Sequence, residues 1–448
     1  MKFSKRQGDY AHARWALVAV YSLSALLWIM ADAHAAPAEP KIVAIEFTGN
    51  KVTRRQILRQ EMQIKEGDAA DPVLIELSRQ AIMDLGLFTS VRAYLEPRAD
   101  GVLLRIAVKE KHFILPVPKL NRDDDNKFSF GAELSFDNLA GLNQKLKIRY
   151  ETEESDEVPD EKIDTSLVSY SYPRVNGSAW TLGAEVSQTH APVRDPVLGI
   201  ALVHKRDAWT ASVQASRWLV ESGPSQGWQF GTGLVWRRNV FDSETPLQTD
   251  PLRDAQAVGL SGVAQFIDVR DFLFSRSGLE YGYNTELGAP VLGSDTHYTR
   301  HEFFYRKYIA FSDRLHENID IQARLGLSSG DIFASDAYAY SLGGSKTLRG
   351  YKTGSFQGNS FVLINVQYLR PFFKYYPLRG ALFLDVGNAY PSNTEIHLGK
   401  VKWDVGLGFR LRLKSFVKLD LRVDAAYAYD AGDGNGEWKY FAGTKEIF

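Results

Sequence analysis

The sequence predicts an antiparallel transmembrane β-barrel of 16 strands, preceded by one small α+β module in the order β-α-α-β-β. Three observations predict this fold. Helical periodicity ends near residue 111, and alternation of apolar and polar residues takes over. An aromatic content of 12% and 36 glycines favour strands and turns over helices. Beyond an N-terminal apolar segment, no run is long enough for a spanning helix, so a membrane-embedded mature chain has to be a barrel.

Composition excludes several functions. The 448 residues include 53 Lys+Arg and 54 Asp+Glu, and a formal net charge of -1 gives no field that attracts nucleic acid. The chain has no cysteine, which removes disulfides, thiolate zinc sites and thiol catalysis. A mean hydropathy of -0.25 argues against several helical spans, whereas alternating barrel strands average to a polar value. Because no soluble-enzyme motif is present, we expect no catalytic residues, no metal and no cofactor.

The first 35 residues have the three parts of a secretory signal peptide. Four Lys or Arg residues lie within residues 1–14, an apolar run follows over residues 15–30, and Ala33-His34-Ala35 offers a small-x-small cleavage site. The alternative is an uncleaved anchor helix, which normally needs about 18 to 20 apolar residues. We therefore expect residues 1–35 to direct export from a bacterial cytoplasm and to be removed.

Residues 36–111 form the predicted small module. Two amphipathic helices follow the first strand, and Thr53 is the expected N-cap of the first of them. Asp71 and Pro72 are the expected N-cap and first residue of the second helix. The predicted strands cover residues 42–47, 91–96 and 102–108, and the predicted first helix covers residues 53–62.

Residues 112–448 form the predicted barrel. Val405, Leu407 and Phe409 share one strand face, and Arg410 and Arg412 lie on the other. About 21 residues per strand and connection suit tilted spanning strands of about 10 residues. An even strand number places both ends on one side, with short turns in the periplasm and long loops outside. The predicted strand centres lie near residues 117, 132, 148, 168, 184, 213, 233, 262, 283, 303, 323, 365, 384, 407, 421 and 442.

Several motifs resemble one known family. The module, with Gly86, Leu87, Phe88 and Val91 after its second helix, resembles a POTRA domain, a periplasmic docking module. In the longest loop, Gly343-Gly344 and Leu348-Arg349-Gly350-Tyr351 resemble the "(V/L)RG(F/Y)" signature of the BamA/TamA outer-membrane assembly superfamily, also called the bacterial surface antigen family. Further matches are the "F-x-D-x-G" of residues 383–387, the turns at residues 137–141 and 268–278, and the terminal aromatic Phe448.

The loop motif predicts an anchor inside the barrel. If Leu384 faces lipid, Asp385 faces the lumen and needs a partner, and a guanidinium gives bidentate contacts. We expect the loop to fold inward so that Arg349 pairs with Asp385, with Gly350 permitting close backbone approach. The alternative is that Arg349 is a solvated loop charge. The family pattern often has a glutamate where this chain has Gln367, which implies more dependence on Asp385.

The seam of the barrel is the second predicted feature. The first strand contains Pro116 and Pro118. They are two residues apart, so their backbone groups point to the same side of the strand, and neither has an N–H to donate to a neighbouring strand. Closure pairs this strand with the last one, which contains Gly443 and ends at Phe448. A weakly paired seam could open sideways and template an incoming strand. The alternative is that both prolines precede the strand as a rigid linker.

The resemblance implies a non-enzymatic assembly or translocation factor in the bacterial outer membrane, with its POTRA domain in the periplasm. The POTRA domain would receive a periplasmic client, polypeptide or lipid, and the barrel would insert or translocate it. The implied partners are outer-membrane lipid, the client and other subunits of an assembly complex, with no nucleic acid. The alternatives are a passive porin-like channel, which would conduct strongly, and an outer-membrane enzyme, which would carry a catalytic cluster.

Overall fold

A computed structural model describes residues 39–122, 128–155, 158, 161–195, 199–242, 253–311, 314–333, 338–417, 420–429 and 437–444. The predicted signal peptide and Phe448 lie outside the described residues. In the part of the chain that is described, no α-helix is both long and apolar enough to cross a membrane.

The N-terminal module has the predicted order of elements. In its three-stranded sheet the third strand lies in the centre, parallel to the first strand and antiparallel to the second. Both helices pack on one face of this sheet, where Leu58, Ile82, Leu104 and Ile106 are buried in one apolar core. The elements are β1 (Ile42–Thr48), α1 (Arg55–Glu61), α2 (Pro72–Asp84), β2 (Phe88–Arg98) and β3 (Gly101–Glu110).

The two helices begin differently. The Asp71 side chain caps α2 by accepting a hydrogen bond from the Val73 N–H at 2.7 Å, and Pro72 is the first helical residue. The prediction of Thr53 as the cap of α1 is wrong, because Arg54 occupies that position without a side-chain cap. The Thr53 hydroxyl is buried and accepts a hydrogen bond from Asn138 Nδ2 at 2.8 Å, so it serves the contact with the barrel.

The barrel is closed and has 16 antiparallel strands, and every predicted strand centre lies inside an observed strand. The strands follow each other in chain order around the barrel. The first eight are β4 (Ile114–Arg122), β5 (Phe128–Leu139), β6 (Gln144–Glu154), β7 (Lys162–Tyr172), β8 (Trp180–Asp195), β9 (Gly199–Trp218), β10 (Gly227–Asp242) and β11 (Ala255–Asp271). The last eight are β12 (Arg276–Gly288), β13 (Tyr298–Ala310), β14 (Asn318–Ser329), β17 (Ser360–Phe372), β18 (Tyr375–Tyr390), β19 (Lys402–Arg412), β20 (Asp420–Ala428) and β21 (Glu437–Gly443).

Strand alternation separates the outer and inner faces of the barrel. On β18, Leu382 and Leu384 are 59% and 39% exposed on the outside, whereas Phe383 and Asp385 are buried inside. A short hairpin of β15 (Tyr340–Leu342) and β16 (Phe356–Gly358) lies within the loop between β14 and β17. The outer wall is therefore apolar, and the charges point inward, as the period of two requires.

The module packs against the turns at its own end of the barrel. Arg54 N donates to Gly141 O at 2.9 Å, and Arg54 Nε donates to Ala140 O at 3.0 Å. A Cβ on Gly141, which has a φ of +71°, would lie 2.1 Å from Val52 O, so only glycine permits this approach. The turn at residues 137–141 is thus a docking point for the module.

Two acidic side chains of the module accept hydrogen bonds from other turns. The Asp84 carboxylate accepts from the Asp271 N–H at 2.8 Å and from Gln226 Nε2 at 3.2 Å. The Glu61 carboxylate accepts from the N–H and the hydroxyl of Ser225 at 2.7 and 2.9 Å. Burial raises the pKa of Asp84 to about 6, although these hydrogen bonds oppose the rise, and burial also raises the pKa of Glu61.

These shifts predict that docking of the module depends on pH. The docked pKa of Asp84 lies above its usual value near 3.8, so the neutral form favours docking. Docking is therefore favoured at low pH, weakens as the pH rises from about 3.8 to about 6, by at most about tenfold per pH unit for this one proton, and depends little on it at higher pH. Because the chain lacks cysteine, Arg98→Cys with Phe373→Cys can carry two labels whose distance distribution reports docking between pH 5 and 8.

In this experiment, Asp84→Asn should reduce the pH dependence of the docked fraction, leaving the part that Glu61 contributes. Glu76→Gln is the matched control, because Glu76 lies on the same helix and pairs with Arg79 at 2.7 Å instead of the barrel. An identical pH profile in Asp84→Asn and the unmodified chain would contradict the prediction.

Candidate functional site

The described residues 338–359 of the long loop between β14 and β17 fold into the barrel lumen. Leu348, Arg349, Gly350 and Tyr351 are all buried there. Leu348 and Tyr351 join Leu342, Phe361, Leu363 and Ala428 in one apolar cluster between the loop and the barrel wall. This cluster holds the tip of the loop against β17 and β20.

Two glycines shape the loop ahead of its tip. Gly343 and Gly344 have φ values of +110° and +85°, a region that L side chains rarely adopt. A Cβ on Gly343 would lie 2.1 Å from Lys352 O, and one on Gly344 would lie 2.5 Å from the Thr353 hydroxyl. The paired glycines therefore let the two arms of the loop approach each other and point residues 348–351 at the wall.

Arg349 is the centre of the site. Its Nε donates to Asp385 Oδ2 at 2.6 Å and its Nη2 donates to Asp385 Oδ1 at 2.7 Å, which is a bidentate pair. Its backbone N–H also donates to Asp385 Oδ2 at 3.2 Å. The guanidinium carbon lies 3.4 Å from the ring centre of Phe383, and both charged side chains are wholly buried.

Two polar residues of β17 complete the contact. Asn365 Nδ2 donates to Asp385 Oδ1 at 2.8 Å and to Thr347 O at 2.7 Å, so it joins the wall to the loop backbone. Gln367 Oε1 accepts from Arg410 Nη2 at 2.6 Å and from Arg349 Nη1 at 3.4 Å. The neutral amide at this position therefore bridges two arginines without adding a charge.

A second ion-pair group lies beside the first. Asp424 on β20 accepts from Arg410 Nη1 and from Arg422 Nε, each at 2.5 Å. Arg422 Nη2 donates to Ser345 O, also at 2.5 Å, and Arg349 Nη1 lies 3.9 Å from Asp424 Oδ2. The loop is thus bonded to β17, β18 and β20 through buried charges.

Gly350 and Tyr351 fix the loop against β19. A Cβ on Gly350 would lie 2.6 Å from Asp404 Cβ and 2.9 Å from Ala428 N, so a larger residue would push the loop away from the wall. The Tyr351 hydroxyl donates to Trp403 O at 3.1 Å. We name the set formed by the loop motif and its wall partners the loop anchor: Arg349, Gly350, Tyr351, Asn365, Gln367, Asp385, Arg410, Arg422 and Asp424.

The seam between β21 and β4 is the other predicted site. Among the described residues its ladder has the single register pair Ala442 with Arg122, whereas other neighbouring barrel strands pair over seven residues or more. Gly443 ends β21 and pairs with Arg422 on the opposite side of the strand. Lys119 Nζ donates to the Thr444 hydroxyl at 3.0 Å, which links the two strands from inside the lumen.

The structure places Pro116 and Pro118 within β4, in an unbroken ladder with β5, rather than in a linker before it. Just before β4, Phe113 O accepts a hydrogen bond from the Asp137 N–H at 2.6 Å. The backbone N–H and C=O groups of the odd-numbered residues of β4 therefore point to β5. The N–H and C=O of one residue point to the same side of an antiparallel strand, and the next residue points to the other. Both proline nitrogens therefore point away from β5, so the seam side of β4 lacks these two donors.

Sequence reasoning missed several members of the loop anchor. Strand alternation placed Arg410 on the face opposite Val405, Leu407 and Phe409, but nothing in the sequence connected Arg410, Arg422 or Asp424 to Arg349. The signal that could have found them is the run of charged residues at alternate positions in two successive strands.

Among the described residues, no group of three or more His, Asp or Glu side chains is arranged to hold a metal ion.

Comparisons with protein families match almost the whole described chain. The Omp85 superfamily domain matches residues 138–445, and the surface antigen variable number repeat, a POTRA family, matches residues 40–111. The outer membrane protein assembly factor BamA of Nitratidesulfovibrio vulgaris strain Hildenborough is 20% identical over 404 residues, covering 86% of this chain and 48% of that protein. The chain therefore spans about half the length of this curated relative.

Solved structures show the same fold at low sequence identity. BamA from Haemophilus ducreyi lacking POTRA domains 1–3 has a TM-score of 0.54 at 17% identity, covering 90% of this chain and 84% of that chain. CdiB from Acinetobacter baumannii has a TM-score of 0.61 at 13% identity, covering 90% and 73%. CdiB from Escherichia coli has a TM-score of 0.60 at 15% identity, covering 90% and 76%.

The buried pair predicts a large effect of mutation at Arg349. Arg349→Ala leaves the Asp385 carboxylate buried without its cation, which typically costs about 3 to 5 kcal/mol. Arg349→Lys keeps the charge but loses the bidentate fork, so it should be intermediate. The temperature at which the folded barrel loses its fast mobility in a denaturing gel measures the change.

The matched control is Arg370→Ala on the same barrel wall. The Arg370 side chain is 69% exposed, and its ion pair with Glu317 is long, at 3.8 Å from Nε to Oε2. Its midpoint should shift little, since exposed pairs contribute at most about 1 kcal/mol. Equal midpoints for Arg349→Ala and Arg370→Ala would refute the anchor.

Proposed function

This chain belongs to the Omp85 superfamily, and on that basis we propose that it is an outer-membrane assembly or translocation factor. The N-terminal POTRA module receives a periplasmic client, and the barrel helps to insert or translocate it. The observation that carries this proposal is the combination of a lumen that holds an anchored loop with a seam that has a single register pair among the described residues. A plain diffusion channel needs an open lumen and gains nothing from a weak closure.

The seam supports insertion through backbone pairing. An edge with unsatisfied N–H and C=O groups is a template for another strand. The prolines keep two donors from the seam side of β4 while the ladder with β5 stays intact. Among the described residues, opening between β4 and β21 therefore breaks few backbone pairs, and it exposes the edge of β21 to an incoming strand.

The POTRA module offers an edge of the same kind. Strand β2 pairs with β3 on one side, and Tyr94 and Leu95 near its outer end are 46% and 45% exposed. An extended peptide added along this edge would gain main-chain hydrogen bonds and two apolar contacts. The opposite edge of the sheet is less open, because Ile42 N donates to Asp68 O and Gly67 N donates to Ile42 O.

The location follows from the two faces of the barrel. Residues such as Leu382, Leu407 and Val423 form the apolar outer face and contact outer-membrane lipid. The short turns at residues 140–141, 225–226 and 271 lie at the end where the POTRA module packs, which supports a periplasmic position for the module. The client, polypeptide or lipid, and other subunits of an assembly complex approach from that side.

Depletion in the source bacterium tests the function. We expect outer-membrane β-barrel proteins or secreted clients to fall in abundance, or lipid asymmetry to be lost, before growth stops. Complementation with the unmodified chain should restore them, and Arg349→Ala should restore them less well. An unchanged outer-membrane proteome and unchanged lipid asymmetry, with a large steady conductance of the purified protein, would favour a passive channel.

A disulfide across the seam tests the lateral opening. Arg122→Cys with Ala442→Cys joins the register pair of β4 and β21 in a chain that has no other cysteine. Under oxidising conditions the tether should stop client assembly or translocation in proteoliposomes, and a reductant should restore it.

The control tether is Ala425→Cys with Tyr440→Cys, a register pair of β20 and β21 away from the seam. It should leave activity unchanged in both redox states. Full activity of the oxidised seam variant, with the disulfide verified by mass, would exclude opening between β4 and β21.

A further inference from the structure

Asp404 on β19 lies at the loop anchor but takes no part in its ion pairs. Its side chain is wholly buried, and within the described part of the chain neither of its carboxylate oxygens makes a hydrogen bond of ordinary geometry. Its register partners are Asp385 on β18 and Ala428 on β20. The carboxyl group is therefore bounded by another carboxyl group on one side and a methyl group on the other.

The cations near Asp404 are committed elsewhere. The Arg349 fork holds Asp385, and Arg410 and Arg422 hold Asp424. Among the described residues, no Lys or Arg lies within ion-pair distance of Asp404. The charged groups on the facing elements are Arg349 on the loop, Asp385 on β18, Arg422 and Asp424 on β20, and Lys402 and Arg410 on β19 itself.

An ionised carboxylate in this position is unfavourable for two reasons. A buried charge without a hydrogen bond or partner costs far more than a buried neutral group. Residues directly opposite on neighbouring strands have Cβ atoms about 5 Å apart, so ionised Asp404 would also repel Asp385. Three arginines and three aspartates would balance in number, but none of the three arginines donates a hydrogen bond to an Asp404 oxygen.

We propose that Asp404 carries a proton whenever the long loop is docked, so that docking of the loop binds one proton. Asp385 stays ionised, because Arg349 and Asn365 donate to both of its oxygens. Asp404 and Asp385 are thus a pair in which one carboxyl group serves as the anion and the other as the neutral member.

The loop itself controls access to this proton. The backbone at Gly350 lies directly over the Asp404 side chain, and a Cβ there would lie 2.6 Å from Asp404 Cβ. When the loop leaves the wall, lumen water reaches the carboxyl group, which then ionises at neutral pH. Docking is therefore favoured at low pH and weakens as the pH rises, by at most about tenfold per pH unit for one proton. This property concerns the barrel alone and does not depend on the client.

A single cysteine in the buried loop tests the proposal. Leu348 is buried in the docked loop, so Leu348→Cys in the otherwise cysteine-free full chain reports undocking through its rate of reaction with a small maleimide. Rates are measured between pH 5.5 and 8.5 with and without D404N, which imitates the neutral carboxyl group. The ratio of the two rates removes the pH dependence of the thiol chemistry. We expect the rate with Asp404 present to rise relative to that with D404N as the pH increases.

One control variant and a direct measurement complete the test. Asp420→Asn removes a carboxylate that holds Arg412 at 2.6 Å at the other end of β20, and should leave the ratio unchanged. Infrared absorption of the unmodified chain at pH 7 should contain a protonated-carboxyl band that D404N lacks. A constant ratio, faster labelling of D404N at every pH, or no carboxyl band lost in D404N would each overturn the proposal.

Discussion

The guanidinium of Arg349 requires acceptors on every side, and this requirement organises the barrel around it. Asp385 fills two directions, Gln367 fills a third, and the ring of Phe383 covers one face. Removing a charge of this kind from water is costly unless each hydrogen-bond position is used. The loop can therefore occupy few positions. The polar residues of β17 to β20 that contact it have to lie at the same level along the barrel axis.

The loop anchor makes the lumen asymmetric. The half formed by β17 to β20 is filled by the loop and its ion pairs. The half formed by β4 to β9 contains a chamber of about 690 Å³ whose wall includes Ser169, Gly183 and Ser212. Leu115, Val117 and Thr444 also line it, so the chamber adjoins the seam. Free space inside the barrel lies where a strand entering through the seam would need it.

The sequence was sufficient for the strand count and for the face of each strand, because a period of two is a local property. It also indicated that Arg349 and Asp385 could meet, since a buried carboxylate needs a cation. The sequence was not sufficient for contacts set by strand tilt and register, which depend on the whole barrel. The pairing of Arg410 and Arg422 with Asp424 is one example, and the orphan position of Asp404 is another. Thr53 shows a different limit: its hydroxyl suited a helix cap, but a turn 85 residues away uses it instead.

The two prolines of β4 also have a mechanical consequence. The POTRA module is joined to the barrel through residues 111–113, at the end of β4 on which the module packs, so any pull on the module enters the barrel at this strand. On one side β4 is held by a regular ladder with β5, and on its seam side the strand lacks two backbone donors. A force on the module that acts across the strands would separate β4 from β21 one contact at a time and leave β4 joined to β5. If the module captures a client as proposed, tension from that client would act on the seam between β4 and β21.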